Sequence, residues 1–269
     1  MVTGRRIALP LPRRWIADLL HAGRRIPTVT VERRVDVSAV AAARKQLADP
    51  PPWVVLFTKA YALVAARRPE LRRAYMPFPW PHLFQADESV ATVAVEREYL
   101  GEPAVFFGSL RHPEGQSLIQ LTQHMNRWRT HPVENIRSFQ RLIEYTRMPW
   151  PLRRLAWWWT ANVSRKWRMR VFGTFGVSVT ASEGATALNL ISPLSTSVNY
   201  GVFGPGHTLP VRVHFDHRVL DGAPVARALG DLEETMNTVI VAELLAMATA
   251  GGARTVPVLW DADAERKAA

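Results

Sequence analysis

The chain has 269 residues, 48% of them hydrophobic, no cysteine and a formal net charge of +11. That length and composition support one domain with a full core, and the lack of cysteine excludes disulfides, thiolate nucleophiles and cysteine-held zinc or iron–sulfur centres. An excess of 34 lysines and arginines over 23 acids favours anionic partners: a nucleotide-bearing carrier such as coenzyme A, an acidic carrier protein or anionic lipid headgroups.

In chain order, a helix is predicted over Arg13 to His21, then a strand through Thr28-Val29-Thr30-Val31 toward Val35-Asp36-Val37. Ser38 reads as the cap of a helix reaching Leu47. After Pro50-Pro51-Pro52, the run Val54 to Arg67 is apolar almost all round, which predicts a largely buried helix ending before Pro69. Ser89 to Val95 and Ala104 to Leu110 read as strands, and Gly115 to about Tyr145 as helical segments interrupted near Pro132. Four more strands are predicted at Gly173 to Val179, Thr186 to Ile191, Ser197 to Phe203 and Leu209 to Phe215. The sum is a mixed α+β domain with one substantial sheet.

The last of these strands carries the chemistry. Leu209, Val211, Val213 and Phe215 recur at period two, and His217-Arg218-Val219-Leu220-Asp221-Gly222 follows at once. Pro224 then opens a helix in which Val225, Leu229, Leu232, Met236, Val239 and Ile240 recur at helical spacing. One imidazole is therefore mounted at a sheet rim, where it could take a proton from a thiol, hydroxyl or amine near neutral pH. Spacing alone leaves two readings open for His217, a catalytic base and a hydrogen-bonding strand end.

Other constellations are missing from the sequence. There is no Walker loop, no dinucleotide-binding glycine fingerprint, no His-Glu-x-x-His and no Gly-x-Ser-x-Gly elbow. His21, His82, His112, His124, His131, His207 and His214 show no metal-ligand spacing, so no metal is expected. Neither zinc-finger spacing nor an RNA-binding aromatic signature is present, and no nucleic-acid partner is expected. No stretch approaches the roughly 20 apolar residues of a membrane span, and no signal peptide is evident, which places the chain in the cytoplasm by expectation.

Laid out this way, the chain resembles the catalytic domain of the 2-oxo acid dehydrogenase dihydrolipoamide acyltransferases and, more distantly, chloramphenicol acetyltransferase. Phe215-Asp216-His217-Arg218-Val219-Leu220-Asp221-Gly222-Ala223 is similar to that family's Phe-Asp-His-Arg-x-x-Asp-Gly-Ala signature. Arg25-Ile26-Pro27, Val35-Asp36-Val37-Ser38, Phe57-Thr58-Lys59-Ala60, Arg68-Pro69-Glu70-Leu71 and Gly173-Thr174-Phe175-Gly176-Val177-Ser178 follow in the family's order. The likeness spans about residues 12 to 240. It implies a chloramphenicol acetyltransferase-like mixed sheet flanked by helices, in a homotrimer or higher multiple of trimers with active sites at subunit interfaces.

The resemblance also implies roles. His217 would be the general base that deprotonates an acceptor for attack on an acyl thioester. Ser178, supplied by the neighbouring chain, would donate a hydrogen bond to the oxyanion. Asp221 would pair with Arg13 or Arg14 and, with Gly222, hold the turn that carries His217. After Ser178 the chain departs from the family, reading Val179-Thr180-Ala181 where the family has Asn-x-Gly.

Two further departures bear on substrate. Complete family chains carry lipoyl and peripheral-subunit-binding domains ahead of the catalytic domain, whereas here a short extension, residues 1–11, precedes a catalytic domain over 12–250, with a tail over 251–269. A stand-alone member is therefore expected. The segment at about 147–171 looks like an insertion and is rich in Trp and Arg, holding five of the chain's ten tryptophans. Within it, Trp157, Trp158, Trp159, Arg153 and Arg154 suit an anionic membrane interface or an acyl-chain groove, and equally a helix packed on its own oligomer. The leading expectation is transfer of an acyl group from acyl-coenzyme A or an acidic acyl carrier protein to an unidentified acceptor. Alternatives are dihydrolipoamide acyltransfer on a lipoyl domain in trans, and an inactive scaffold. The protein would be cytoplasmic, with peripheral membrane contact as one form of that expectation.

Overall fold

A computed structural model describes residues 4–251; the expected C-terminal tail lies, after Gly251, outside the described residues. The elements in chain order are α1 (Leu11–Gly23), β1 (Thr28–Asp36), α2 (Ser38–Arg44), α3 (Trp53–Arg67), β2 (Arg73–Met76), β3 (His82–Gln85), β4 (Val90–Tyr99), β5 (Glu102–Arg111), α4 (Leu118–Thr130), α5 (Arg137–Arg147), α6 (Trp150–Asn162), α7 (Arg165–Val171), β6 (Phe175–Val177), β7 (Thr196–Tyr200), β8 (Thr208–Asp216), α8 (Gly222–Thr235) and, after a π turn at Met236–Ile240, α9 (Val241–Gly251).

Six strands form one mixed sheet in the order β1-β8-β7-β6-β4-β5. The pairs β4–β6 and β6–β7 are parallel, and the others are antiparallel. One face is the main core: Ala91, Val93, Phe175, Val177, Val198, Val213 and Phe215 meet α3 and α8, and Phe57 stacks on Tyr200 at 4.4 Å. The apolar run of α3 is buried as its composition predicts, from Val55 through Ala65 apart from Leu63. A satellite cluster of Trp157, Ala161 and Phe172 forms under α6 and α7.

The opposite face departs from the simple alternation of a half-exposed strand. Ser197, Asn199, Arg212, His214 and Asp216 are buried as well. The expected strand at Thr186 to Ile191 is absent; that run is irregular, and it is the residues after it, Pro193 to Ser195, that meet the sheet. Leu194 lies so close over Gly176 that a Cβ there would stand 2.7 Å from its Cδ1, and Arg168 donates to Pro193 O at 2.7 Å. Pro193 O accepts from α7 and Ser195 O accepts Asp216 N, so these residues pair their backbone with the sheet and α7 without forming a strand.

Ser38 is not a side-chain cap. It is the first residue of α2, and its N–H is taken by Asp36 Oδ1 at 2.8 Å. The signal was a cap residue before a helix, and the carboxylate two residues earlier does that work. The helix stops at Arg44, with one further turn reaching Leu47. The β2–β3 hairpin has no counterpart among the sequence expectations.

Candidate active site

Strand β8 ends at Asp216, and the turn after it is built largely by that residue. Asp216 O accepts the N–H groups of Val219 and Leu220 at 2.9 and 3.1 Å. Its carboxylate accepts Arg218 N at 3.0 Å, Nε at 2.9 Å and the terminal guanidinium nitrogen at 2.8 Å. Arg218 also lies 4.3 Å over the Tyr75 ring, so the β2–β3 hairpin backs the turn. Leu220 is buried, and His217 N donates to Pro27 O at 3.0 Å. These contacts fix His217 at the rim between β1 and the start of α8.

The His217 side chain is 49% exposed. Its Nδ1 lies 3.0 Å from Leu220 O. A carbonyl only accepts, so this bond puts a proton on Nδ1 and, in the neutral imidazole, leaves the lone pair on Nε2. The ring meets the Phe215 ring edge-on at 5.8 Å. Asp221 Oδ1 stands 3.5 Å from the same Nδ1, but its side chain is 83% exposed. Gly222 begins α8, where an added Cβ would meet only a Val31 methyl at 4.0 Å.

Asp221 is not paired with Arg13 or Arg14. Helix α1 sits on the far edge of the sheet, with Trp15 Nε1 donating to Val105 O at 3.0 Å, and Arg14 Nε donates to Leu9 O at 3.1 Å. Three strands lie between β5 and β8, four inter-strand steps or roughly 19 Å at the usual spacing. Within one chain, the expected arginine anchor of the His217 turn is replaced by Arg218 on Asp216.

Ser178 follows β6 directly. Its N–H donates to Val198 O at 3.2 Å and its carbonyl accepts Asn199 Nδ2 at 2.7 Å. The side chain is half-buried. Phe175, Thr196 and Phe215 form one row across β6, β7 and β8. Ser178 lies three residues beyond that row on β6, and His217 two residues beyond it in the opposite direction on β8. The five intervening rises place the two residues roughly 17 Å apart along the strands alone. One chain does not bring Ser178 to His217.

In the Trp-rich segment, Trp157 is buried and stacked on Phe172 at 5.5 Å. Arg153 Nε pairs with buried Asp18 Oδ2 at 2.6 Å, and Arg154 stands 3.7 Å from Oδ1. Burial pushes the Asp18 carboxyl up, and the two arginines pull it back. These three residues tie α6 to the body of the protein. Trp158 and Trp159 are exposed, together with Trp150, Leu152 and Leu155 on the same helix and Phe78 and Trp80 nearby in chain order on the β2–β3 hairpin. Phe78 meets Trp158 at 6.3 Å. Among the described residues, no helix is long and apolar enough to cross a membrane.

Two buried groups escaped the sequence reading. His214 sits on the polar face with Nδ1 2.8 Å from Thr30 Oγ1, and burial, helped by Arg212, pushes its pKa down to about 4. Arg168 is buried near Asp216, donating to Ala161 O and Pro193 O at 2.7 Å each, and burial lowers its pKa to about 10. Strand alternation marked His214 as facing away from the core, which concealed that the second face is covered.

No protein-family model matches the chain, and no curated protein matches it in sequence. Solved structures do match. A dihydrolipoamide acetyltransferase from Azotobacter vinelandii, whose structure examined the catalytic role of a serine, a histidine and an asparagine, is 18% identical with a TM-score of 0.62 over 90% of this chain and 95% of that one. A probable dihydrolipoamide acetyltransferase from Listeria monocytogenes is 15% identical, with a TM-score of 0.60 over 88% of this chain and 95% of that one. A truncated catalytic core of the Thermoplasma acidophilum 2-oxoacid dehydrogenase multienzyme complex is 15% identical, with a TM-score of 0.60 over 87% and 99%. The chain has the fold of these acyltransferase cores.

Proposed function

We propose that the protein transfers an acyl group from a thioester, carried by coenzyme A or an acyl carrier protein, to a small or lipidic acceptor, with His217 as general base. The observation that carries this reading is the Nδ1–Leu220 bond, which holds the tautomer a base requires at an exposed rim. Nε2 takes the proton from the acceptor's thiol, hydroxyl or amine as the freed nucleophile attacks the thioester carbonyl carbon. The carbonyl oxygen becomes an oxyanion. Collapse expels the thiolate, which takes the proton back from the imidazolium, so no acyl-enzyme forms.

Ser178 of a second copy donates to that oxyanion. The wide separation of Ser178 and His217 within one chain supports a site completed between copies, and fold relatives are cores of multienzyme complexes. The histidine and asparagine examined in the Azotobacter enzyme are four residues apart, the spacing of His217 and Asp221. Dihydrolipoamide on a separate lipoyl domain is the rival acceptor, and a panel of free dihydrolipoamide, alcohols and amines separates the two.

The test is complementation. His217→Ala and Ser178→Ala chains are each inactive alone in thiol release from acyl-coenzyme A. Co-expressed, they form mixed oligomers in which about a quarter of random interfaces carry both intact groups, and activity returns to about that fraction. No recovery, with normal assembly, overturns the shared site; full activity of His217→Ala alone overturns the base.

A further inference from the structure

The tip of the β2–β3 hairpin reads Pro77-Phe78-Pro79-Trp80-Pro81, and it holds both aromatic side chains outward, Trp80 being 76% exposed. In water that exposure is unfavourable. The backbone of the tip is suited to a less polar medium: the three prolines have no N–H to leave unpaired, and the Trp80 carbonyl accepts His82 Nδ1 at 2.7 Å.

The tip belongs to a larger surface. Phe78 meets Trp158 of α6 at 6.3 Å, and Arg165 of α7 lies 5.7 Å over the Phe84 ring of β3, which sets hairpin, α6 and α7 side by side. Leu152, Leu155, Trp158 and Trp159 recur at spacings of three and four and form the exposed stripe of α6. Trp167 of α7 is exposed as well. Isolated apolar side chains on a surface are ordinary, but a run of them across three adjoining elements marks an interaction surface. Its charge has one sign. From Arg147 to Val171 the chain has seven arginines and lysines and no acid, and from Arg72 to Gln85 it has no acid either. Asp18 pairs with Arg153 and Arg154, whereas Arg147, Arg165 and Lys166 are the exposed members of the group.

We propose that the β2–β3 tip, the exposed stripe of α6 and the start of α7 dock on an anionic lipid bilayer, their aromatic side chains entering the headgroup boundary while Arg147, Arg165 and Lys166 meet lipid phosphates. Exposed tryptophan beside basic side chains matches that boundary in both its apolar depth and its charge. The contact is peripheral, since no helix among the described residues can cross a membrane. A second copy is the poorer occupant, because two such faces would set like charges against each other. The inference stands on this surface and does not require the acyl-transfer reading.

Co-sedimentation of the full chain with phosphatidylglycerol and with phosphatidylcholine vesicles tests it, alongside the oligomeric state and the melting temperature of each variant. Binding to phosphatidylglycerol is expected to exceed binding to phosphatidylcholine by about tenfold or more, and to weaken toward the phosphatidylcholine level at about 1 M salt, where charge is screened within about 3 Å. Trp80→Ala should weaken binding to both lipids several-fold, with melting unchanged because the side chain stands in solvent. Arg165→Gln with Lys166→Gln should weaken phosphatidylglycerol binding by about tenfold and leave phosphatidylcholine binding as it was. His217→Ala should bind as the parent does, which separates this inference from the fate of the catalytic proposal. Equal binding to the two lipids overturns the anionic partner. Failure of the parent to bind either vesicle, or binding indifferent to Trp80→Ala and to the charge variant, overturns the surface. An oligomer that Trp80→Ala dissociates, in a parent that ignores vesicles, assigns the face to a second copy and overturns it too.

Discussion

His217 Nδ1 and the carbonyl oxygen of Leu220 are 3.0 Å apart, closer than the 3.5 Å to the Asp221 carboxylate. The proton on the imidazole is therefore positioned by backbone three residues on, and the carboxylate acts only through solvent-screened charge. His217→Ala is expected to lower thioester turnover by about 10²–10⁴-fold, and Asp221→Ala by less than about tenfold. Steady-state thiol release compares them. Equal losses in the two variants would transfer the orienting role to Asp221.

Asp216 is the residue that holds the turn. It is buried and takes three hydrogen bonds from Arg218. Asp216→Asn should cost about 2–3 kcal/mol in urea unfolding, less than a fully buried pair because Arg218 is a third exposed. Asp221→Asn should stay within about 0.5 kcal/mol of the parent. A neutral Asp216→Asn variant would show that the turn is held by chain connectivity instead.

Gly173 has φ +84°, and a Cβ there would stand 2.5 Å from Val90 O. The backbone must also bring Thr174 to Val90, whose O accepts Thr174 N at 2.8 Å. Gly173→Ala therefore combines left-handed strain with a clash against backbone, and a loss of at least about 2 kcal/mol is expected. Thermal melting measures it, and an unshifted midpoint refutes the account.

Stability should fall on acidification because of His214. Its folded pKa, about 4, lies below the ordinary value of 6.5, so the unfolded chain binds the proton more readily. The contribution is complete above pH 6.5 and is lost as pH falls through the window to 4, an effect on the order of 3 kcal/mol. Melting from pH 7 to 4.5 should show a smaller decline in His214→Gln than in the parent. Parallel curves would assign the acid sensitivity elsewhere.

The exposed face of α6 is expected to bind anionic vesicles. Trp158 and Trp159 stand out from the helix while Trp157 is buried and Arg153 and Arg154 pair with Asp18, so Trp158→Ala with Trp159→Ala should reduce co-sedimentation with phosphatidylglycerol vesicles several-fold without altering the melting temperature. Unchanged co-sedimentation counts against this face.

Elements with strong local signals were legible in the residue order. The period-two run of β8, the all-apolar α3 and the Pro132 break between α4 and α5 are where side-chain spacing and proline chemistry placed them, because both act over a few residues. The same order put His217 at a strand end. What surrounds these elements was set by the way the chain folds back on itself. The polar side of β8 is exposed by local pattern but buried in fact, since Arg168 of α7 is brought near Asp216 and Thr30 of β1 meets His214. The arginine that steadies the turn is Arg218 rather than Arg13 or Arg14, because sheet order carries α1 to the opposite edge. Three successive tryptophans divide between interior and surface by their angle around α6. Each of these outcomes depends on which distant segments become neighbours, a property of chain topology that residue spacing does not encode.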